Sequence, residues 1–343
     1  MPASKKFKKP LFAGIDVGGT NVKLGIVDDD GQIVGQTKFP TQPDKSPDVA
    51  ISQSRTGLQK LLGTTEFDWS DVAAAGLGTP GPMDIAQGMI LTPANLQGWH
   101  NFPIRDRLSK ALEKPVTYSN DAGAAGFGEY WVGGGRDYDS IVLLTLGTGV
   151  GGGIIIDDYS LEGANSHGAE VGHIVIDTSP EARACGCGQS GHLEAYASAT
   201  ALVNRTIEAM GEPETGKQTL LRQRIGEASP LSALMISEAA TEGDEFAISM
   251  VRETARYLGR GIDILAHVID PAAFILGGAM NFGGSSTRLG QQFLDDVIEE
   301  ARGRVFPVLG SNLNVEFAQL GSEAGLVGAA GLARAQYNKG KSD

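Results

Sequence analysis

Apolar and polar positions along this chain follow two periods, close to 2 and close to 3.6, and the pattern switches between them repeatedly. Leu11 to Ile15 is a continuous apolar run ending in DVGGTN, Asp16 to Asn21. Val22 to Val27 alternates, Asp28 to Gly31 marks a turn, and Gln32 to Phe39 resumes a strand pattern. The spacing predicts strand, glycine turn, strand, hairpin, strand. Pro47 to Leu62 changes to helical spacing through Val49, Ile51, Leu58, Leu61 and Leu62. Val72 to Leu77 is a buried strand stopped by GTPGP, Gly78 to Pro82. Ile104 to Leu112 is a short helix, and Val116 to Tyr118 is a strand that delivers Ser119, Asn120 and Asp121. Ala122 to Trp131 is a helix of small residues.

The grammar then repeats. Ile141 to Leu146 is a second strongly apolar strand, followed by GTGVGGG (Gly147 to Gly153), by Ile154 to Ile156 and by an acidic turn at Asp157 and Asp158. Beyond it the pattern predicts helices over Leu193–Met210, Ile236–Gly243, Asp244–Val268, Leu289–Ala301 and Ser322–Tyr337. Strands are predicted over Ala273–Leu276, closing on Gly277 and Gly278, and over Asn314–Ala318. Gly211 to Pro230 is polar and irregular and reads as a surface insertion. Alternating strands and helices make the chain α/β. Two copies of strand, glycine turn, strand, acidic turn indicate a duplicated α/β unit, with one glycine turn per copy available to grip a single nucleotide.

Composition narrows the partners. A formal charge of −13 opposes a nucleic-acid surface, which would be basic. Apolar content of 41% and charged content of 20% are those of a globular protein, and no apolar run reaches the length of a membrane span. The basic opening, residues 1–10, lacks a following apolar segment and reads as a disordered tail, not a signal peptide. Two cysteines in 343 residues exclude a disulfide scaffold and fit a reducing, cytoplasmic setting.

Both cysteines and two of the five histidines fall between His173 and His192. His173, Cys185, Cys187 and His192 are the donor types of a closed, tetrahedral structural zinc site. Gly186, Gly188 and Gly191 would keep side chains out of the ion's way. The plain alternative is two free thiols and two unrelated histidines. Gly18, Gly19 and Thr20, and again Gly147, Thr148 and Gly149, offer unobstructed backbone N–H groups of the kind that cradle phosphate. Neither turn matches the dinucleotide fingerprint or the Walker loop, and each alone is also an ordinary hairpin turn. Asp16 at a strand end is a ligand for Mg²⁺, directly or through water. Lys23 beside it is either a charge for the site or a solvated strand lysine. Asp121 is either a general base or a helix N-cap.

The sequence EVGH (Glu170 to His173) followed by CGCGQSGHLE (Cys185 to Glu194) resembles the signature of the ROK family of sugar kinases and sugar-responsive repressors. That family carries a third cysteine where this chain has His192, so the zinc set here becomes Cys2His2. The resemblance implies an actin-like or hexokinase-like (ribonuclease H-like, duplicated) ATPase fold. Its small domain would cover residues 11–119, with the last helix, about 322–337, packed back on it, and its large domain residues 120–321. It also implies that Asn120, Glu170, His173 and Glu194 bind the sugar, with Gly81 and Asn95 as further contacts, and that Asp121 is the catalytic base. Gly277 and Gly278 would admit the adenosine. ATP, Mg²⁺ and structural Zn²⁺ are the implied cofactors, and the expected assembly is a homodimer or homotetramer. The expected reaction is phosphorylation of a hexose at its 6-hydroxyl, glucose first, with fructose, mannose, allose, N-acetylglucosamine or N-acetylmannosamine as alternative sugars and polyphosphate as an alternative donor. A sugar-sensing repressor is disfavoured, because only ten residues precede Leu11, and that is too few for a helix-turn-helix.

Overall fold

In the computed structural model, residues 6–212, 218–226 and 230–342 are described. Part of the expected N-terminal tail (1–5) and of the 211–230 insertion (213–217, 227–229) lies outside them. The chain folds as two units. The first comprises Met1–Ile141, Gly153–Ala169 and Gln319–Asp343, and the second Val142–Gly152 and Glu170–Ala318. The boundary expected at 119/120 falls inside the first unit.

The first unit is built on β1 (Leu11–Val17), whose unbroken apolar run is explained by burial on both faces. Leu11, Ala13, Ile15 and Val17 face one core, together with Val22, Leu24 and Ile26 of β2 (Asn21–Val27). Phe12 faces the other, with Leu326, Val327 and Ala330 of the last helix. β3 (Ile33–Pro40) completes an antiparallel meander with β2 and β1. The helix α1 (Pro47–Leu62) starts where predicted, because Ser46 accepts a hydrogen bond from the Asp48 N–H and Pro47 occupies the first turn. Next come β4 (Val72–Thr79), a small hairpin of β5 (Met83–Asp84) and β6 (Met89–Ile90), α2 (Ile104–Leu112), β7 (Val116–Asn120) and α3 (Asp121–Val132). The sheet order is β3-β2-β1-β4-β7, with β1, β4 and β7 parallel.

The second sheet has the order β10-β9-β8-β11-β12, the same winding as the first. Its strands are β8 (Ser140–Leu146), β9 (Val150–Ile156), β10 (Tyr159–Ser160), β11 (Ala273–Gly277) and β12 (Val315–Phe317). Between β10 and β11 run α4 (Glu194–Ala197), α5 (Ala199–Gly211), α6 (Leu221–Arg224), α7 (Ala233–Thr241) and α8 (Glu245–Ile269). α9 (Arg288–Arg302) and α10 (Pro307–Asn312) follow β11, and α11 (Ala324–Ser342) ends the chain.

The single helix expected over 193–210 is two helices. Ser198 is extended, with φ −80° and ψ 166°, and its side chain accepts the Ala201 N–H, so it ends α4 and caps α5. The helix expected to begin at Ile236 begins at Ala233, because Ser232 caps it through the Met235 N–H. α8 is capped by Asp244, which accepts the Ala247 N–H, and closes at Asp270 in the left-handed region. Within the first unit α11 lies directly on the sheet and on α3. A Cβ on Gly14 or Gly76 would collide with the Leu326 or Ala329 carbonyl, and one on Gly328 with that of Ala124. Among the described residues no helix is long and apolar enough to cross a membrane.

Candidate functional site

In the first unit the parallel strands β1, β4 and β7 all end at one edge of the sheet, which is where open α/β sheets bind ligands. Asp16 stands near the end of β1, with its carboxylate 3.4 Å from the Lys23 ammonium. Burial pushes this carboxyl above its ordinary range, and Lys23 pulls the other way. A Cβ on Gly325 would lie 2.8 Å from the Asp16 carboxylate, so the first turn of α11 reaches the acid only because residue 325 has no side chain. The Lys23 ammonium also donates to the Ser322 carbonyl at 2.7 Å, tying β2 to the short turn just before α11.

The turn Gly18 to Thr20 is held from the side. The Thr41 hydroxyl donates to the Gly18 carbonyl at 2.6 Å and the Thr41 N–H to the Thr20 carbonyl at 3.0 Å, leaving Gly19 and Thr20 exposed. A Cβ on Gly19 would meet that of Asn95 at 3.6 Å, and one on Gly81 would meet Asn120 Nδ2 at 3.9 Å. The predicted contacts of this unit are therefore gathered at one edge. Asn120, not Asp121, is the N-cap of α3: its Oδ1 accepts from the N–H groups of Ala122 (2.9 Å) and Gly123 (3.3 Å). Asp121 is the first residue of the helix, and its own Oδ1 also accepts the Ala122 N–H, at 2.8 Å.

Sequence reasoning missed Glu162. Its carboxylate accepts from the Ser119 hydroxyl at 3.0 Å, directly before Asn120, and burial pushes it above the usual carboxylate range. A serine in strand β7 and a glutamate in the loop after β10 carry no spacing signal. His100 and His167 are exposed, His267 pairs with Asp263 at 3.0 Å, and Trp99 is a core side chain, 1% exposed.

In the second unit the turn Gly147 to Gly149 follows β8. Gly278, at φ +91°, sits where a Cβ would collide with Leu146, so the ends of β8 and β11 share one edge. The Glu194 carboxylate accepts from the Val150 N–H at 3.0 Å, and a Cβ on Gly149 would run into it. Glu170 is exposed and its carbonyl accepts from the His173 N–H at 3.0 Å. The turn it opens packs against β9, where a Cβ on Gly172 would strike the Val150 carbonyl.

His173, Cys185, Cys187 and His192 converge, with ligand atoms all within 4.8 Å of one another. His173 Nδ1 is 3.3 Å from His192 Nδ1 and 3.7 Å from Cys185 Sγ, and Cys187 Sγ is 3.2 Å from His192 Nδ1. A tetrahedral ion with metal–N near 2.05 Å and metal–S near 2.3 Å has N–N edges of about 3.3 Å and N–S edges of about 3.6 Å. The donor set fits zinc. Its loop is shaped by backbone needs that differ from the expected ones: Gly188 and Gly191 have φ +90° and +81°, while a Cβ on Gly186 would meet no protein atom within 4 Å.

The profile of the ROK family matches residues 12–336. The chain is 33% identical over 328 residues to a glucokinase of Halalkalibacterium halodurans, covering 95% of this chain and 96% of that one. Among solved structures, a ROK family glucokinase from Streptomyces griseus in complex with glucose and AMPPNP is similar at 35% identity and TM-score 0.75, over 94% of this chain and 99% of that one. A ROK hexokinase from Thermus thermophilus is similar at 29% identity and TM-score 0.79, over 97% and 100%.

Proposed function

The chain belongs to the ROK family, and from that premise we propose that it transfers the γ-phosphoryl group of ATP to the 6-hydroxyl of a hexose, with glucose preferred. Its fold is the duplicated actin-like or hexokinase-like one. Phosphoryl transfer asks the protein for positioning, charge stabilisation and one carboxylate to accept the hydroxyl proton. Asp121 is that base. The observation that supports the assignment is the place of Asp121 on the first turn of α3, directly after Asn120 at the end of the parallel strand β7.

Asn120, Glu170, His173 and Glu194, with Gly81 and Asn95, bind the sugar, since carboxylates accept from paired hydroxyl donors. The N–H groups of Gly18, Gly19, Thr20, Gly147, Thr148 and Gly149 take the phosphates, and Gly277 and Gly278 admit the adenosine. Asp16 holds Mg²⁺, which supplies charge neutralisation on the phosphates when bound. Zinc on His173, Cys185, Cys187 and His192 is structural, because the nucleophile is a sugar hydroxyl and four protein ligands close the site to water. The protein works in the cytoplasm as a homo-oligomer.

A coupled assay over hexoses and N-acetylhexosamines, each with ATP and with polyphosphate, tests the proposal. Glucose with ATP should give the highest kcat/KM. A higher value for another sugar corrects the substrate, and no phosphorylation of any sugar in the panel removes the kinase assignment.

A further inference from the structure

The turn Gly147 to Val150 joins the neighbouring strands β8 and β9 and is also held from outside the hairpin. One internal hydrogen bond, from the Gly147 N–H to the Gly149 carbonyl at 3.0 Å, spans it. Among the described residues, three further hydrogen bonds to it come from residues 194–200, the stretch that leaves the metal loop. The Ala199 N–H donates to the Gly147 carbonyl at 2.8 Å, the Thr200 hydroxyl to the Thr148 carbonyl at 2.8 Å, and the Val150 N–H to Glu194 Oε2 at 3.0 Å. Gly149 is glycine because the Glu194 carboxylate occupies the place of its Cβ. The other oxygen of the same carboxylate, Oε1, lies 3.8 Å from Cys185 Sγ.

Glu194 thus touches a metal ligand with one oxygen and the end of the turn with the other. A sugar-binding role for Glu194 does not require either contact. We propose that Glu194 is a positioning residue which locks the backbone of the Gly147–Val150 turn to the metal loop, so that an intact metal loop sets the affinity of this turn for the phosphates of a nucleotide.

The physical reason is preorganisation. Turn N–H groups bind phosphate well only when they already point at one place, and a turn that must be ordered on binding loses affinity by the cost of ordering it. His173, Cys185, Cys187 and His192 fix the loop, His192 lies two residues before Glu194, and the Ser198 cap places Ala199 and Thr200. Without the loop's closure, all three outside contacts of the turn lose their support together. Zinc is then coupled to nucleotide binding even though no metal ligand belongs to the turn.

The inference rests on the nucleotide role given to the turn above, and the test separates the two. AMPPNP with Mg²⁺ is titrated calorimetrically, without sugar, into the full-length wild type, Glu194→Ala, Glu194→Gln, Thr200→Val and zinc-depleted wild type. Circular dichroism checks folding and elemental analysis checks zinc. One hydrogen bond to a charged acceptor contributes about 1.5–3 kcal/mol, so Glu194→Ala should raise the nucleotide Kd about 10- to 100-fold while keeping its zinc. Thr200→Val, which removes a neutral bond, should raise it about threefold to tenfold. Glu194→Gln retains a neutral acceptor for the Val150 N–H and should fall between wild type and Glu194→Ala. Zinc depletion should weaken the nucleotide at least as much as Glu194→Ala, and if the depleted chain unfolds the substitutions decide alone. A folded, zinc-loaded Glu194→Ala that binds AMPPNP as the wild type does, having lost only glucose affinity, overturns the proposal. A wild type that binds no nucleotide overturns the kinase reading, and this inference with it.

Discussion

Replacing Glu129 with glutamine should loosen the junction between α3 and the entry to α11. Glu129 is completely buried. Its Oε1 accepts from the Leu320 N–H at 2.8 Å, and its Oε2 from the N–H groups of Gly134 (2.8 Å) and Gln319 (2.9 Å). All three are donors, so a carboxylate satisfies them and an amide cannot. With the glutamine oxygen in the place of Oε2, two bonds survive with a neutral acceptor and the NH2 group opposes the Leu320 N–H. With the amide flipped, two bonds are lost.

The milder orientation forfeits one charge-assisted bond, about 1.5–3 kcal/mol, and weakens two others, for a total of about 2–4 kcal/mol. A chain with two units need not unfold in one step, so a local readout is the right one. Hydrogen exchange at Gln319 and Leu320 should accelerate about 30- to 700-fold, since each 1.4 kcal/mol is a factor of about ten. Asp121 stands at the other end of α3, so kcat should fall with it. Exchange at Gln319 and Leu320 within threefold of the wild type would show that the carboxylate is not what holds this junction.

Asp121→Asn should keep the sugar KM within a few-fold while kcat drops by about 10²-fold or more, as expected for loss of a general base; a variant retaining over a tenth of the wild-type kcat refutes the assignment. Purified protein should contain about one equivalent of zinc by elemental analysis, with His192→Cys keeping the metal and His192→Ala losing it; full zinc in His192→Ala would exclude His192 as a ligand. Glu162→Gln should change the pH dependence of melting. Burial raises the Glu162 pKa in the folded state, so its contribution to stability is complete below the unfolded value of about 4.3 and is lost as pH rises through the folded value. The melting temperature of the variant minus that of the wild type should therefore become more positive from about pH 4 to pH 8, and a flat or falling difference counts against a buried, reluctant carboxylate.

Elements whose ends are set by local chemistry were readable in advance. Pro47–Leu62 and Ile104–Leu112 are helices over the residues that their apolar spacing marks. The break at Ser198 was not readable, because a serine within an apolar-periodic stretch looks the same whether it continues a helix or caps the next one. The β5–β6 hairpin was missed because strands of two residues carry too few positions to show a period. α10 was missed for the same reason of length, six residues starting at Pro307. Glu129 and Glu162 were invisible for a different reason: their partners lie 190 and 43 positions away, and no periodic pattern links them.

Glycine shows where sequence reasoning reaches its limit. A strand followed by a glycine turn marks Gly18, Gly19, Gly147, Gly149, Gly277 and Gly278 equally, as places where a ligand could approach the backbone. In the fold they differ. A Cβ on Gly147 would meet nothing within 4 Å, Gly278 needs a positive φ beside Leu146, and Gly149 makes room for Glu194. Of these three, Gly147 is the one whose Cβ would be unobstructed by protein. At Gly149 and Gly278 the missing side chain lets protein atoms approach closely, which suits a reaction that depends on positioning more than on covalent chemistry. Gly325 extends the same logic. It lies far outside any glycine turn, in the first turn of a helix, yet it is the residue that lets α11 approach the Asp16 carboxylate. The absence of a side chain therefore shapes this site as much as the side chains present, and such an absence acquires a meaning only once its neighbours are known.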